Sequence, residues 1–177
     1  MRTFLTGASG YIGMAVLDGL VRHGHEVTGL VRNSERADIV AAHGGRPLMG
    51  NLRNPASYRQ AAEEHDAIVH AGMEASAHAS EVERTAVETL VAAARVPGAE
   101  GRPRVLIYTS GVWVLGHTPR PAAEDAPLDP TPHVAFRPPL ERAVLDAAGE
   151  GLRTIVVRPG IVYGGARGIM GALFKDA

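Results

Sequence analysis

The segment TGASGYIG, residues 6–13, has the residue types and spacing that most directly indicate chemistry. It follows a short apolar run and precedes an amphipathic segment, the context of a strand-to-helix loop. Gly7 allows a tight turn, Gly10 lets the backbone approach a phosphate, and Gly13 lets the helix pack close to the strand. The amides at the helix start then face the phosphate charge. We therefore predict a pyrophosphate-binding loop made of Gly7, Ser9, Gly10, Tyr11, Ile12 and Gly13.

The elements that must position this loop are visible as apolar segments of two alternating kinds. Short β-branched runs predict strands at Thr3–Thr6, Glu26–Val31, Arg46–Met49, Ala67–His70, Val105–Thr109 and Thr154–Arg158. The segments between them predict helices at Tyr11–Arg22, Glu35–His43, Ala56–Glu64, Ala77–Arg95 and Pro138–Ala148. This alternation predicts an α/β fold of the Rossmann type, a doubly wound parallel sheet with helices on both faces. Ligands are then expected at the carboxyl ends of the strands.

Length and composition narrow the class of protein. A chain of 177 residues, 45% of them hydrophobic, suffices for one domain with its own core. The net charge of −1 argues against general binding to nucleic acid or to a membrane surface. No apolar run reaches the ~18–20 residues that cross a bilayer. The chain has no cysteine, which excludes disulfides and is consistent with a cytoplasmic protein.

Further motifs extend the pattern along nearly the whole chain. They are GNLRNP after the third strand, DAIVHAG at the fourth, VLIYTSGVWVLG at the fifth and RPGIVYGG at the sixth. With the G-x-x-G-x-x-G loop, they resemble the extended short-chain dehydrogenase/reductase superfamily of sugar-nucleotide epimerases, dehydratases and reductases. The resemblance implies a nicotinamide dinucleotide cofactor and an oxidoreductase or epimerase/dehydratase-like function on a small metabolite.

The end of the second strand bears on the choice of cofactor. The acid that accepts from the ribose 2′-hydroxyl of NAD(H) would stand at Val31, and Arg32 follows it. No carboxylate there repels a 2′-phosphate, and a guanidinium can hold one, with help from Ser34 or Arg36. We therefore predict NADP(H) in preference to NAD(H). The alternative is that Arg32 is a solvated loop arginine.

The resemblance implies further cofactor contacts along the strand ends. Asn51 stands where relatives carry an Asp that accepts from the adenine amino group, and Leu52 would pack beside the adenine. Small residues after the fourth strand would pass the nicotinamide ribose, and the turn after the sixth would close the site. These positions are Ala71, Gly72, Met73, Pro159 and Gly160. His70 is expected to be structural, and the eight histidines show no paired spacing that predicts a metal site.

The resemblance also implies where the chemistry lies, and here the sequence departs from the family. Relatives use a Ser or Thr after the fifth strand to bind the substrate oxygen. That position falls on Gly111, so Thr109 and Ser110 are the nearest hydroxyls. A capping role for Ser110 is the alternative. Trp113 nearby is either a core residue or a neighbour of the substrate.

The usual Tyr-x-x-x-Lys proton relay is missing from the next element. The Tyr position falls on Ala135 or Phe136, and the Lys position on Pro139 or Leu140. Arg137, just before the predicted helix, is the remaining candidate there.

Arg137 could hold a nicotinamide ribose, a phosphate or an acidic substrate, but a guanidinium group cannot act as an acid. Glu141, one turn into the helix, is either a base or a partner of Arg137 or Arg142. Neither residue alone predicts a reaction.

Two functions of different classes follow from this pattern. One is a divergent NADP(H)-dependent enzyme; the other is a catalytically degenerate NADP(H)-binding sensor or assembly protein. We expect residues 1–165 to form the cofactor-binding domain and residues 166–177 to begin a truncated or missing substrate-binding region. The long Pro-rich loop at residues 116–132 is expected to be functional. A homodimer could form through the helices at residues 77–95 and 138–148.

Overall fold

The computed structural model describes residues 1–98 and 101–164, and its centre is a six-stranded sheet. The strands are β1 (Arg2–Thr6), β2 (Glu26–Val31), β3 (Arg46–Met49), β4 (Ala67–His70), β5 (Arg104–Thr109) and β6 (Leu152–Val157). The helices are α1 (Tyr11–Arg22), α2 (Ser34–Ala42), α3 (Arg59–Glu63), α4 (Ala79–Ala94) and α5 (Arg137–Leu145). Short 3-10 turns add Pro55–Ser57, Val112–Leu115 and Pro132–Val134.

The strands lie in the order β3-β2-β1-β4-β5-β6, and every neighbouring pair is parallel. The order reverses between β1 and β4, which is where this kind of sheet opens a crevice for ligands. Because all strands run the same way, the loops after β1, β2, β4 and β5 share one edge of the sheet. This confirms the predicted doubly wound α/β fold.

Helices cover the two faces of the sheet in separate groups. On one face α1 and α2 pack against a buried cluster that includes Leu5, Leu17, Val40 and Val69. On the other face α3, α4 and α5 cover a larger cluster built around residues such as Phe4, Leu90, Leu106 and Val144. Both helix layers pack against the central strands. This packing on both faces holds the strand ends in place at the crevice.

Several predicted elements differ in their bounds; α4 begins at Ala79 rather than at residue 77, and α5 ends at Leu145 rather than at residue 148. The helix expected at residues 56–64 is a 3-10 turn followed by the short α3, because Tyr58 lies between them with a non-helical backbone. The Tyr58 side chain is 1% exposed and stacks beside the Phe4 ring, with a centroid distance of 6.3 Å. Anchoring that ring in the core breaks the helix. β6 begins at Leu152, two residues before the predicted start.

In the described part of the chain, no helix combines the length and the apolar character that a membrane crossing requires.

Candidate cofactor-binding site

A cavity of about 480 Å³ lies along the carboxyl ends of β1, β2, β3 and β4. It brings together eleven residues that the sequence predicts for the cofactor, namely Gly7, Ser9, Gly10, Tyr11, Ile12, Arg32, Asn51, Leu52, Ala71, Gly72 and Met73. Gly13 lies just beneath the loop, while Pro159 and Gly160 do not line this cavity. The predicted loop and the strand ends therefore form one continuous site.

The glycine loop is shaped by contacts that no larger residue permits. Gly7 has a φ of +71°, which favours glycine, and its carbonyl oxygen accepts from the Gly10 amide at 2.8 Å. A Cβ at Gly7 would lie 2.5 Å from the carbonyl oxygen of Ala71, and one at Gly13 would lie 2.0 Å from that of Gly7. The N-terminus of α1 has no side-chain cap, and Tyr11 and Ile12 of its first turn line the cavity.

The far end of the cavity, after β2, is cationic. Val31 is 2% exposed and apolar, and it supplies no carboxylate toward the cavity. Arg32 and Arg36 both line the wall, and Asn33 holds the chain between them by capping α2, accepting from the Arg36 amide at 3.0 Å. Two guanidinium groups at one end of a cavity suit a phosphate group.

Asn51 is held by its own loop. Its Oδ1 accepts from the backbone amide of Arg53 at 3.0 Å, and its backbone amide donates to the Ser57 hydroxyl at 3.0 Å. An amide oxygen has two lone pairs, so one remains for an adenine amino group. The residue is thus oriented in the cavity wall before any ligand arrives.

Glu74 places a carboxylate in the cavity wall that the sequence did not reveal. Arg53 pairs with it through both forks, with Nε–Oε2 at 2.7 Å, and the Ser76 hydroxyl donates to Oε1 at 2.5 Å. Arg53 first and then Ser76 lower the pKa of Glu74 to about 2. The pair ties the loop after β3 to the loop after β4 across the mouth of the cavity.

The three residues predicted for chemistry lie together beyond β4 but outside the cavity wall. Arg137 is the first residue of α5 and is 9% exposed; its Nη1 donates to the Thr109 carbonyl at 3.0 Å and its Nη2 to the Met73 sulfur at 3.2 Å. Ser110 is 7% exposed, and its Oγ has no hydrogen-bond partner among the described residues. A buried hydroxyl without a partner needs an explanation, and a bound ligand is one.

The predicted pairing of Glu141 with Arg137 or Arg142 is wrong. Glu141 is 1% exposed and is bound by Arg158, with Nη2–Oε2 at 2.7 Å and Nε donating to both oxygens. Arg137 turns instead toward β5, and Arg142 is exposed with Asp146 at 4.0 Å. Arg158, which follows β6, reaches the buried face of α5 that carries Glu141. It also donates to the Glu124 carbonyl at 3.0 Å, which tethers the long loop.

Trp113 and the turn after β6 both lie near the carboxyl end of β5. Trp113 is 50% exposed, so the interpretation as a core residue is wrong. The Pro159 carbonyl accepts from the Val112 amide at 3.1 Å, so the turn after β6 braces the turn after β5. The described residues bring together no group of three histidines, aspartates or glutamates that could hold a metal.

Sequence reasoning missed two buried residues at the site, Glu83 of α4 and Tyr108 of β5. Both are almost fully buried, and the Tyr108 hydroxyl donates to Glu83 Oε1 at 3.1 Å. The signal for Glu83 was available, because it lies on the same helical stripe as Val87 and Leu90. A carboxylate on an apolar stripe requires a buried partner.

Comparison with known proteins agrees with this geometry. The chain is 36% identical over 172 residues to a 4-hydroxy-2-methyl-3-oxo-4-farnesyl-3,4-dihydroquinoline-1-oxide ketoreductase of Stigmatella aurantiaca, covering 93% of this chain and 51% of that protein. It is 29% identical to a 2-alkyl-3-oxoalkanoate reductase of Stenotrophomonas maltophilia, covering 93% of this chain and 52% of that protein. The chain therefore spans about half the length of these curated relatives.

A solved structure shares the fold. The UDP-glucose 4-epimerase of Thermus thermophilus, in complex with NAD, superposes with a TM-score of 0.74 at 22% identity, covering 99% of this chain and 61% of that one. The family model described as NAD(P)H-binding matches residues 7–168. The chain thus belongs to the NAD(P)H-binding family.

Proposed function

We propose that this protein is an NADPH-dependent reductase of a ketone group in a small metabolite. The observation that carries the proposal is the cationic end of the cavity, where Val31 replaces the expected acid and Arg32 and Arg36 line the wall. The names of two relatives, a ketoreductase and an oxoalkanoate reductase, favour carbonyl reduction over epimerisation. The NAD in the compared epimerase structure belongs to that protein.

The residues present fit the cofactor from end to end. Arg32 and Arg36 would hold the 2′-phosphate, Asn51 the adenine, and the loop from Gly7 to Gly13 the pyrophosphate. A Cβ at Gly7 or Gly13 would collide with neighbouring backbone atoms. The glycines therefore keep the loop tight, which supports close approach of a ligand to its backbone. The nicotinamide half would then extend past β4 toward Met73 and Arg137.

NADPH supplies a hydride when it is bound, so the protein must place the ketone and provide a proton. Ser110 would donate its hydroxyl hydrogen to the ketone oxygen, since its buried Oγ has no partner among the described residues. The Thr109 hydroxyl, in the same turn, is the second candidate for this contact. The hydrogen bond stabilises the negative charge that develops on the oxygen during reduction.

Water is the proton source in this proposal. Arg137 is not the donor in this proposal, because a guanidinium group does not act as an acid. Burial first, and then the adjacent Glu83 carboxylate, raise the pKa of Tyr108 above its ordinary value, so that phenol is a poor acid. Ser110 would pass a proton from water rather than from a dedicated side chain, and turnover would be slow compared with relatives that carry the relay.

A second function is favoured by one specific observation. Ala135 or Phe136 stands where the Tyr of the proton relay is expected, and Pro139 or Leu140 where the Lys is expected. Phe136 contributes only a ring, whose centroid lies 5.5 Å from the Arg137 guanidinium carbon. A protein of this kind could bind NADP(H) without turnover and act as a sensor or assembly partner. The two functions differ in whether NADPH is consumed.

The test is NADPH oxidation with a panel of β-keto compounds, followed by absorbance. We expect turnover in the wild type and a loss of about 100-fold for Ser110→Ala, the size typical of removing one donor to a developing oxyanion. Ser80→Ala, an exposed serine of α4, is the matched control and should leave the rate unchanged. Tight NADPH binding with no oxidation in the wild type would favour the sensor.

Other expectations stay predictions. The cofactor-binding domain predicted at residues 1–165 contains the described cavity. The region predicted at residues 166–177 lies outside the described part of the chain. A homodimer through α4 and α5, a cytoplasmic location and the identity of the small-molecule substrate stay predictions as well.

A further inference from the structure

A buried polar network runs beneath the carboxyl ends of β1, β4 and β5, away from the cavity wall. It contains Thr6, His70, Glu83, Tyr108 and Arg137, each between 0% and 9% exposed. Polar groups this deep destabilise a fold unless they bind one another. The predicted pyrophosphate loop lies at one end of the network and Arg137 at the other.

The first part of the network links the Gly72 amide to Glu83 through Thr6 and His70. The Gly72 amide donates to Thr6 Oγ1 at 3.1 Å, and Thr6 Oγ1 lies 2.6 Å from His70 Nδ1. His70 Nε2, on the other side of the ring, lies 3.6 Å from Glu83 Oε2. The His70 and Tyr108 rings are stacked, with centroids 5.8 Å apart.

The second part of the network joins Glu83 to Arg137. The Tyr108 hydroxyl donates to Glu83 Oε1 at 3.1 Å and accepts from Arg137 Nη1 at 3.3 Å. Arg137 Nη1 also lies 4.0 Å from Glu83 Oε1. Nη1 is thus bound on the inner side, and Nη2 donates to the Met73 sulfur, a weak acceptor, at 3.2 Å.

Glu83 and Arg137 carry opposite charges within the network, 4.0 Å apart. Burial acts to raise the pKa of Glu83, but His70, Arg137 and the Tyr108 hydroxyl together bring it below its ordinary value. Glu83 is therefore a carboxylate that offsets the buried positive charge of Arg137. A guanidinium held on one side by a carboxylate and a phenol has little freedom to rotate.

We propose that Glu83 is a positioning residue, which through the Tyr108 hydroxyl fixes the Arg137 guanidinium beside Met73, where it binds the nicotinamide half of the cofactor. This inference rests on the proposed NADP(H) function. The strand order supports this position for the nicotinamide half. β2, β1 and β4 are neighbours in the sheet, and they are followed by Arg32, the glycine loop and Met73 respectively. A dinucleotide with its phosphates at the first two sites must extend toward the third, where Arg137 lies.

The experiment compares two ligands that differ only in that half. NADPH contains the nicotinamide riboside, whereas 2′-phosphoadenosine 5′-diphosphate lacks it. Dissociation constants are measured by calorimetry for the wild type, Glu83→Gln and Tyr108→Phe. Glu88→Gln is the matched control, because Glu88 is an exposed carboxylate of the same helix, 3.3 Å from Arg84. Tyr108→Phe keeps the ring and its packing, and thermal unfolding checks that each variant folds.

We expect Glu83→Gln and Tyr108→Phe to weaken NADPH about tenfold, as for the loss of one charged hydrogen bond, and to leave the truncated ligand unchanged. Equal weakening of both ligands would mean a merely structural role and would overturn the inference. So would an unchanged NADPH affinity in both variants. If the wild type bound the truncated ligand as tightly as NADPH, the inference would fail while the cofactor proposal stood. If it bound neither, the cofactor proposal itself would fall.

Discussion

Gly13 contributes both to the fold and to the candidate site, because it lets α1 pack against the backbone of the glycine loop. A Cβ there would lie 2.0 Å from the Gly7 carbonyl oxygen, which is backbone and cannot swing aside. Gly19, in the same helix, has nothing within 4 Å of the corresponding position. The two glycines therefore form a matched pair, since one is required by packing and the other is not.

Gly13→Ala is expected to lower the free energy of unfolding by about 1–3 kcal/mol, because the helix and the loop must move apart. Gly19→Ala is expected to raise it by about 0.5–1 kcal/mol, because Ala favours a helix more than Gly does. Urea denaturation of both variants measures the difference. Equal effects of the two substitutions would show that α1 does not pack on the loop as described.

The roles of some site residues could be predicted from the sequence, and those of others could not. Gly7 and Arg32 were predicted because their roles depend on a local pattern, a strand end followed by a turn or a helix. The Arg158–Glu141 and Tyr108–Glu83 contacts join residues 17 and 25 positions apart through the packing of helices on the sheet. No local pattern specifies which buried charge meets which, so these pairs required the structure.

At the scale of elements, Arg104 joins two helices to the sheet. It is the first residue of β5 and is 3% exposed, and its guanidinium donates to carbonyls at the ends of α3 and α4. The Ala93 carbonyl lies 2.7 Å from Nη1 and that of Val96 3.0 Å, while Nη2 binds the Glu63 carbonyl. Carbonyls at helix C-termini lack helical partners, and Arg104 supplies one for both ends.

Arg104→Ala is expected to lower the free energy of unfolding by about 3 kcal/mol or more, because it leaves several buried carbonyls without a donor. Arg104→Lys should recover part of the loss, since an ammonium group cannot reach both helix ends. The control is Arg153→Ala, an exposed arginine on the neighbouring β6, with an expected effect within about 0.5 kcal/mol. Chemical denaturation compares the three. An Arg104→Ala effect no larger than that of Arg153→Ala would contradict this role.

For the secondary-structure elements, hydrophobic periodicity and segment length predicted whether a segment is a strand or a helix better than they predicted where it begins and ends. The six strands were predicted from short β-branched runs, and all six are present in the described chain. The segment at residues 56–64 was misjudged because helix propensity favoured a continuous helix, whereas Tyr58 needed the core. Burial of one aromatic ring outweighs the propensity of a few residues.

For the molecule as a whole, the strand order converts separate motifs into one extended site. The ends of β2, β1 and β4 lie side by side, so Arg32, the glycine loop and Met73 follow one another along the same edge. The chain spans about half the length of its curated relatives, and the family model described as NAD(P)H-binding matches residues 7–168. Cofactor binding is therefore the property to measure first.

The most direct measurement is a fluorescence titration of the protein with NADPH and with NADH. We predict that NADPH binds about tenfold more tightly or better, and that Arg32→Ala or Arg32→Asp removes this preference by weakening NADPH alone. Arg22→Ala, an exposed arginine at the end of α1, is the control and should keep the preference. Equal affinity for the two cofactors, or a preference that survives the loss of Arg32, would contradict the account.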